Sequence, residues 1–400
     1  MGTSVEKANH PPALAAFLRH AAENSPYYRN QPWATKLRDG GQADLSEIPL
    51  TPTGAIRDQV PLFCAENVPP SQGSVVTKYT SGSSGTPMEV RKTLRHFQIN
   101  MMDNQKAFRA WQTQDHAIAA YNYQPTAEKP DGTVALAAGE RGQKVVNVFT
   151  HSADKLHQVI AAHKPALLST RPRMATTLLE QPTGLSSLRL IITSTESLPD
   201  NFTALLAALP DCRNLDLYGS VETGLLATTC PKCGNYHLAE DTSFVEVLGD
   251  DGTPVPEHGL GRVIVTVHSN WAMPLIRYDI GDYVQASYQS PCAPGRLSLM
   301  RIHGREIMMF RLPGGELVVP RLNADTVLKL GVARFKMVQT TPNHIEFRYQ
   351  LRDGAQLSVA AIQALVHQQM SPLLGVTLKP VTEFPLAPSG KYLMHERLFS

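Results

Sequence analysis

The stretch Thr80-Ser81-Gly82-Ser83-Ser84-Gly85-Thr86-Pro87 sets hydroxyl side chains around two glycines, between the β-prone runs SVVTKYT and MEVRKT. Glycine admits positive φ and lets the backbone approach closely, so such a loop offers N–H groups and hydroxyls to a polyphosphate. A Walker loop would place Gly-Lys-Ser/Thr at the start of a helix, whereas here Gly85 is followed by Thr86-Pro87, which argues against an ordinary P-loop NTPase. On composition alone the same residues also fit a Gly/Ser hairpin or linker.

A second constellation is Cys230-Pro-Lys-Cys233-Gly-Asn-Tyr-His237, with Cys292 further along in SPCAPGR. A CxxCG turn points two thiolates at one centre, and a third thiolate or an imidazole completes tetrahedral zinc. Free surface thiols are the other reading of the cysteines, and a loop or core histidine the other reading of His237. A lysine near the end of the chain, Lys391 in Pro-Ser-Gly-Lys, offers a mobile point charge on a long stem.

Positioning these groups takes more than one domain. At 400 residues the chain exceeds the usual size of a single core. Residues 12–24 carry apolar positions at helical spacing and end at Ser25-Pro26. From about 130 to 220, β-prone runs at 166–170, 188–193 and 214–218 alternate with helical patterns such as 200–209, which predicts a βαβ layer over a buried sheet. From 242 to 303 the pattern is all strand, in TSFVEVL, GRVIVTV, PLIRYDI and DYVQASY, and predicts a mixed or barrel-like β-region. Past Gly304 the expectation is strands at 306–310 and 315–319, a helix near 321–330, strands at 335–350, a helix at 356–370 and a strand near 376–380. The expected fold is thus α/β plus α+β: a large N-terminal domain, 1–303, with a β-subdomain, and a small α+β domain, 304–400.

Bulk properties narrow the function classes. The net charge is +2, with 18% charged residues spread along the chain, and no basic stripe of the kind that marks nucleic-acid partners. No run reaches the roughly 18 apolar residues that span a bilayer, and the first residues lack a leader pattern. No membrane partner and a cytoplasmic location are expected. The five cysteines, odd in number, fit thiols or a metal site better than a disulfide framework.

Taken together, the motifs resemble the ANL superfamily of adenylate-forming enzymes, in particular its phenylacetate-CoA ligase-like branch. YTSGSSGTP is similar to the signature loop, and HAAENSPYYRN with DLSEIPLTPTGAIRD to the branch's opening. Ser194-Thr195-Glu196-Ser197-Leu198 is similar to the adenine-side motif, Tyr218-Gly219-Ser220-Val221-Glu222-Thr223 to YGxTE, and Arg277-Tyr278-Asp279-Ile280-Gly281-Asp282 to RYxxGD. Gly304-Arg305 resembles the hinge and Ser389-Gly390-Lys391 the C-terminal lysine motif. The motifs occur in the family's order over most of the chain.

The resemblance implies ATP-dependent activation of a small carboxylic acid as its acyl-AMP, with ATP and Mg²⁺ as cofactors. It implies that Thr80, Ser81, Gly82, Ser83, Ser84, Gly85 and Thr86 cradle the phosphates and that Glu222 holds Mg²⁺, a hard cation suited to carboxylate. Tyr218, Gly219, Ser220, Ser194 and Glu196 would enclose the adenine side, Asp282 would take the ribose hydroxyls, and Arg305 would contact the nucleotide. Lys391 would act as the catalytic cation on the α-phosphate and the substrate carboxylate. The acid would lie beside Gly219 and the segment AAYNYQPT at 119–126, where Tyr121 and Tyr123 either frame a flat ring or pack as strand core. The chain's size is similar to that of phenazine-antibiotic adenylating proteins, which implies an aryl or heteroaryl acid from secondary metabolism.

The sequence departs from the family at Met308, where a hinge Asp is usual, and at Pro294, where the branch often carries a further cysteine. Transfer to coenzyme A or a carrier-protein thiol is therefore open, as is transfer to an amine. Two other readings stand beside the ligase: a non-enzymatic zinc-knuckle binding module, and a degenerate fold that binds the adenylate without transferring it.

Overall fold

The computed structural model describes the chain except for residues 1–11, 81–87, 112–115, 140–141, 200, 306–308, 321, 323–326, 328–329, 353, 385–394 and 400. Two compact units emerge. The first comprises residues 1–81, 86–112 and 217–301; the second, residues 82–85, 113–216 and 302–400.

In the first unit the helix Pro12–Asn24 forms over the predicted range. It buries Phe17, Leu18 and Ala21, with Phe17 edge-on to Trp271 at 6.4 Å. The aromatic pair that follows has a structural task. Tyr28 is buried, and its hydroxyl donates to the Pro274 carbonyl (3.4 Å) and accepts from the Ile276 N–H (3.1 Å), so it satisfies backbone groups that lack a strand partner. The β-region is a sheet in the order Phe244–Leu248, Leu260–Thr266, Tyr278–Ser290, Ala293–Arg305, Tyr236–Leu238, Gly224–Thr229, Arg213–Ser220. The two strands expected around Gly281 are a single one, Tyr278–Ser290, because Gly281 at φ 78° is absorbed within the strand, while Pro274–Arg277 lie outside it. Arg277 anchors this region. Its guanidinium forms a bidentate pair with Glu246 (3.1 and 3.0 Å) and donates to the Ile48 carbonyl at 2.8 Å.

The second unit holds the βαβ layer. Leu190–Ser194, Leu167–Thr170, Ile118–Tyr123 and Lys144–Phe149 run parallel, and Thr133–Ala138 closes the edge antiparallel. The helices Ala153–His163 and Pro172–Leu179 cover this sheet through Leu156, Ile160, Met174 and Leu178. The helical pattern at 200–209 yields only Phe202–Leu206.

Residues beyond 304 build a four-stranded sheet in the order Gly375–Pro380, His344–Leu351, Val332–Thr341, His395–Arg397. With the helix Val359–Gln369, these strands enclose a hydrophobic core of their own, around Met337, Phe347, Ile362 and Val366. Of the strand expected at 306–310, residues 306–308 lie outside the described residues and Phe310–Arg311 is strand, while the one expected at 315–319 shortens to Leu317–Val318. His395–Arg397 was not anticipated, since three residues are too few to show a period. The helix expected near 321–330 falls largely outside the described residues. No helix among the described residues is long and apolar enough to cross a membrane.

Candidate active site and metal centre

The turn that joins Arg213–Ser220 to Gly224–Thr229 carries the acid expected to hold magnesium. Ser220 and Thr223 lock it reciprocally: the Ser220 N–H donates to Thr223 Oγ1 (3.3 Å) and the Thr223 N–H to Ser220 Oγ (3.2 Å). A Cβ at Gly219 would overlap the Gly224 carbonyl, so no other residue fits there without moving the turn. Glu222 is thereby held at 5% exposure, its Oε1 accepting a long bond from the Tyr278 hydroxyl at 3.4 Å. A buried carboxylate with so little direct hydrogen bonding suits a hard divalent cation.

Tyr218, two strand residues before the end of Arg213–Ser220, is buried and donates through its hydroxyl to Asp282 Oδ2 at 3.0 Å. The residues expected at the adenine and at the ribose are thus hydrogen-bonded neighbours. The two acids of RYDIGD also separate in role. Asp279 pairs with Arg262 at 2.7 Å and accepts from the Gly281 N–H at 2.9 Å, which makes it structural, whereas Asp282 faces Tyr218.

Thr80 closes the neck of the hairpin formed by Val75–Tyr79 and Glu89–Thr93. Its N–H donates to the Met88 carbonyl, and its hydroxyl accepts from the Met88 N–H, both at 2.9 Å. Ser81, Gly82, Ser83, Ser84, Gly85 and Thr86 lie outside the described residues, as do Met308 and Lys391.

Tyr121, Tyr123, Ser194, Glu196 and Arg305 belong to the second unit. Tyr121 and Tyr123 point to the same face of their strand, with rings 6.4 Å apart and 18° from parallel, and Tyr123 stacks in turn on Phe149 at 5.2 Å. Tyr121 is half-buried and Tyr123 exposed, so they form an aromatic shelf and not a strand core. Ser194 ends the strand Leu190–Ser194, and Glu196 follows Thr195, whose φ of 76° is rare for a β-branched residue. The backbone before it is braced: Thr193 Oγ1 donates to Asp216 at 2.5 Å and accepts from Asn214 Nδ2 at 3.0 Å. Such local strain, held by a rigid surround, is common where a loop must meet a ligand. Arg305 is the last residue of Ala293–Arg305.

Sequence reasoning missed two buried nitrogen-bearing side chains of the first unit, Lys92 and His96. Lys92 is 5% exposed; burial pushes it down to about 8, opposed by the charge of Glu222 and reinforced by that of Lys78. His96 is fully buried, and burial, with Lys92 adding to it, holds its imidazole down to about 3. Its Nδ1 lies 2.7 Å from Ser269 Oγ. The available signal was alternation: Val90 and Lys92 share the inward face of one strand, and a lysine is out of place there.

The metal constellation closes fully. Cys230, Cys233, His237 and Cys292 place their ligand atoms within 4.8 Å of one another, so the imidazole, which the sequence left open, joins the three thiols. Cys230 and Cys292 sulfurs are 3.9 Å apart, and Cys233 Sγ is 3.3 Å from His237 Nε2. Zinc–sulfur bonds of about 2.3 Å in a tetrahedron put sulfurs about 3.8 Å apart, so little movement is needed. The knuckle is set by Gly234 at φ 78°, whose N–H donates to the Cys230 carbonyl at 3.0 Å.

Comparison with known families agrees with this geometry: a family model described as AMP-binding enzyme matches residues 19–270, well over half of the chain. The chain belongs to the AMP-binding enzyme family. It is an acyl-adenylate-forming ligase, with the mixed α/β fold of the ANL adenylating enzymes. Among curated relatives of this AMP-binding enzyme, phenylacetate-coenzyme A ligase of Aromatoleum evansii is 26% identical over 313 residues, 74% of this chain and 70% of that one. The Escherichia coli K12 phenylacetate-coenzyme A ligase is 24% identical over 331 residues, 78% and 73% of the two chains. A solved 2-hydroxyisobutyryl-CoA ligase, in its postadenylation state with R3-HIB-AMP, superposes with a TM-score of 0.66 at 17% identity, covering 97% of this chain and 88% of that one. The anthranilate CoA ligase AuaEII with anthranoyl-AMP gives 0.56 at 15% identity, over 80% and 66%. Both structural likenesses concern the fold.

Proposed function

We propose that this ligase activates a small aromatic carboxylic acid and passes the acyl group from AMP to coenzyme A or another thiol. The observation that carries the reading is the Tyr218–Asp282 hydrogen bond, just before the turn that holds Glu222. It joins Tyr218 to Asp282 in the first unit, with Glu222 in the adjoining turn, and so supports the reading of these three as aromatic face, diol acceptor and metal-binding carboxylate of an adenylate site.

In the first step an oxygen of the acid attacks the α-phosphorus, the bond to the β-phosphate oxygen breaks, and pyrophosphate leaves with the electron pair. Glu222 would hold Mg²⁺, which when bound would supply charge neutralisation on the phosphates. Thr80 through Thr86 cradle those phosphates, Ser194 and Glu196 border the adenine with Gly219 and Ser220, Asp282 fixes the ribose, and Arg305 contacts the nucleotide. Lys391, from a small domain at 304–400, neutralises the entering carboxylate and the α-phosphate. Tyr121 and Tyr123 present the aromatic shelf to the acid. In the second step the acceptor thiolate attacks the acyl carbon and AMP departs. Cys230, Cys233, His237 and Cys292 hold a structural zinc, remote from this chemistry in role. ATP supply and free thiols fit a cytoplasmic setting.

Incubating the protein with Mg²⁺, ATP and a panel of aryl and alkyl acids, with coenzyme A, an amine or no acceptor, and identifying products by mass spectrometry tests the reading. An acyl-coenzyme A from aryl acids is the expected product. Met308, in place of the hinge acid, favours one specific rival: an acyl-AMP that accumulates whatever thiol is offered.

A further inference from the structure

Lys92, a residue only 5% exposed, has no role in the adenylation chemistry proposed for this site. Lys92 lies on Glu89–Thr93, with its side chain on the same inward face as the fully buried Val90. No hydrogen bond or ion pair reaches its Nζ among the described residues; it lies over the ring of Phe97, 5.7 Å from the centroid. Glu222 is the carboxylate whose field it feels most, yet the two stop short of an ion pair. Holding a lysine in so buried a setting without closing that pair is costly, and so points to a charge that serves something else.

The surroundings lean the same way. His96 and Asn100 follow Lys92 at four-residue spacing into the helix Leu94–Ala110. His96 Nε2 and Asn100 Nδ2 are both buried and unpartnered, and a Cβ built on Gly224 would meet them at 3.4 and 2.5 Å. The wall behind the Ser220–Gly224 turn is therefore rich in nitrogen, with Glu222 as the acid whose charge acts on Lys92. Such a wall attracts a polyanion and suits no apolar group.

We infer that Lys92 is a phosphate-binding residue of the adenylation reaction: its ammonium takes oxygens of the β- and γ-phosphates and then of pyrophosphate. The AMP half is left to Tyr218 and Asp282. This rests on the adenylation site described above. The α-phosphorus–oxygen bond breaks toward pyrophosphate, charge accumulates on that leaving group, and a fixed ammonium there stabilises it without any proton transfer.

The test measures binding alone, by calorimetry on the full chain at pH 7, with Mg·ATP, Mg·pyrophosphate and AMP as probes. Lys92→Met should weaken Mg·ATP and Mg·pyrophosphate by about ten- to a hundredfold while AMP changes by less than about twofold. Lys92→Arg should recover part of the loss. Equal losses for all three probes, or none, would overturn the assignment and leave Lys92 a structural counter-charge. Should Lys92→Met fail to fold, amine labelling of the native protein decides the matter. Pyrophosphate that shields Lys92 better than AMP supports the proposal, and equal labelling refutes it. A native protein that binds AMP and ATP while the variant matches it defeats this inference alone. A native protein that binds neither nucleotide defeats the adenylation site as well.

Discussion

Two neighbouring turns of the first unit solve the same problem in opposite ways. The turn 220–224 is held by its own hydroxyls and backbone, and Glu222 stays aligned through Ser220, Thr223 and two glycines that admit no side chain. The knuckle 230–237 converges three thiols and an imidazole whose mutual contacts are weak hydrogen bonds at best. The first is preorganised by covalent geometry and ordinary hydrogen bonds; the second is an arrangement with the ligand set that a metal would complete. A ligand should therefore add function to one and stability to the other.

Metal removal sharpens this contrast most. Chelation, or Cys230→Ser, should lower the unfolding midpoint by roughly 5 °C or more, since a structural zinc contributes its binding energy to folding. AMP affinity should hold within about twofold. Calorimetric scanning with parallel AMP titration measures both, and a midpoint indifferent to chelation would remove zinc from the account.

His96 offers the next effect, through pH. Burial holds its folded pKa at about 3, whereas the unfolded residue titrates near 6.5. The unfolded chain therefore binds a proton first, so the stability contribution is complete above about pH 6.5 and is lost as pH falls toward 3. At pH 5 the loss amounts to about 2 kcal/mol. Thermal melts at pH 5 and 7 should differ less in His96→Gln than in the native chain. His20, His237 and His268, whose pKa values burial also lowers, titrate alike in both proteins.

The smallest effect belongs to Tyr218→Phe. Loss of its bond to Asp282 should raise the KM for ATP about three- to tenfold, with kcat nearly unchanged. A fall in kcat alone would mean that Tyr218 acts on the transition state.

Much of this was legible in the sequence because its signals are local. The helix at 12–24 has a clean period, the CxxCG turn fixes its own geometry, and Tyr218, Glu222 and Asp282 sit in short motifs. What escaped depends on distant partners. Lys92 reads as an ordinary strand lysine until the fold shows which face is inside. The convergence of Cys292 and His237 needs strand register, which pairs His237 with Ser298. Gly281 reads as a break, but the strand carries on through it because the pairing on either side outweighs one residue's preference. Short strands such as His395–Arg397 leave no pattern to find.

The central claim is adenylation, and ATP–[³²P]pyrophosphate exchange across a panel of carboxylic acids tests it most directly. Exchange that depends on an aryl acid and falls about a hundredfold or more in Lys391→Ala is the predicted result. A native protein that binds ATP yet exchanges pyrophosphate with no acid, or equally well with none added, would contradict it.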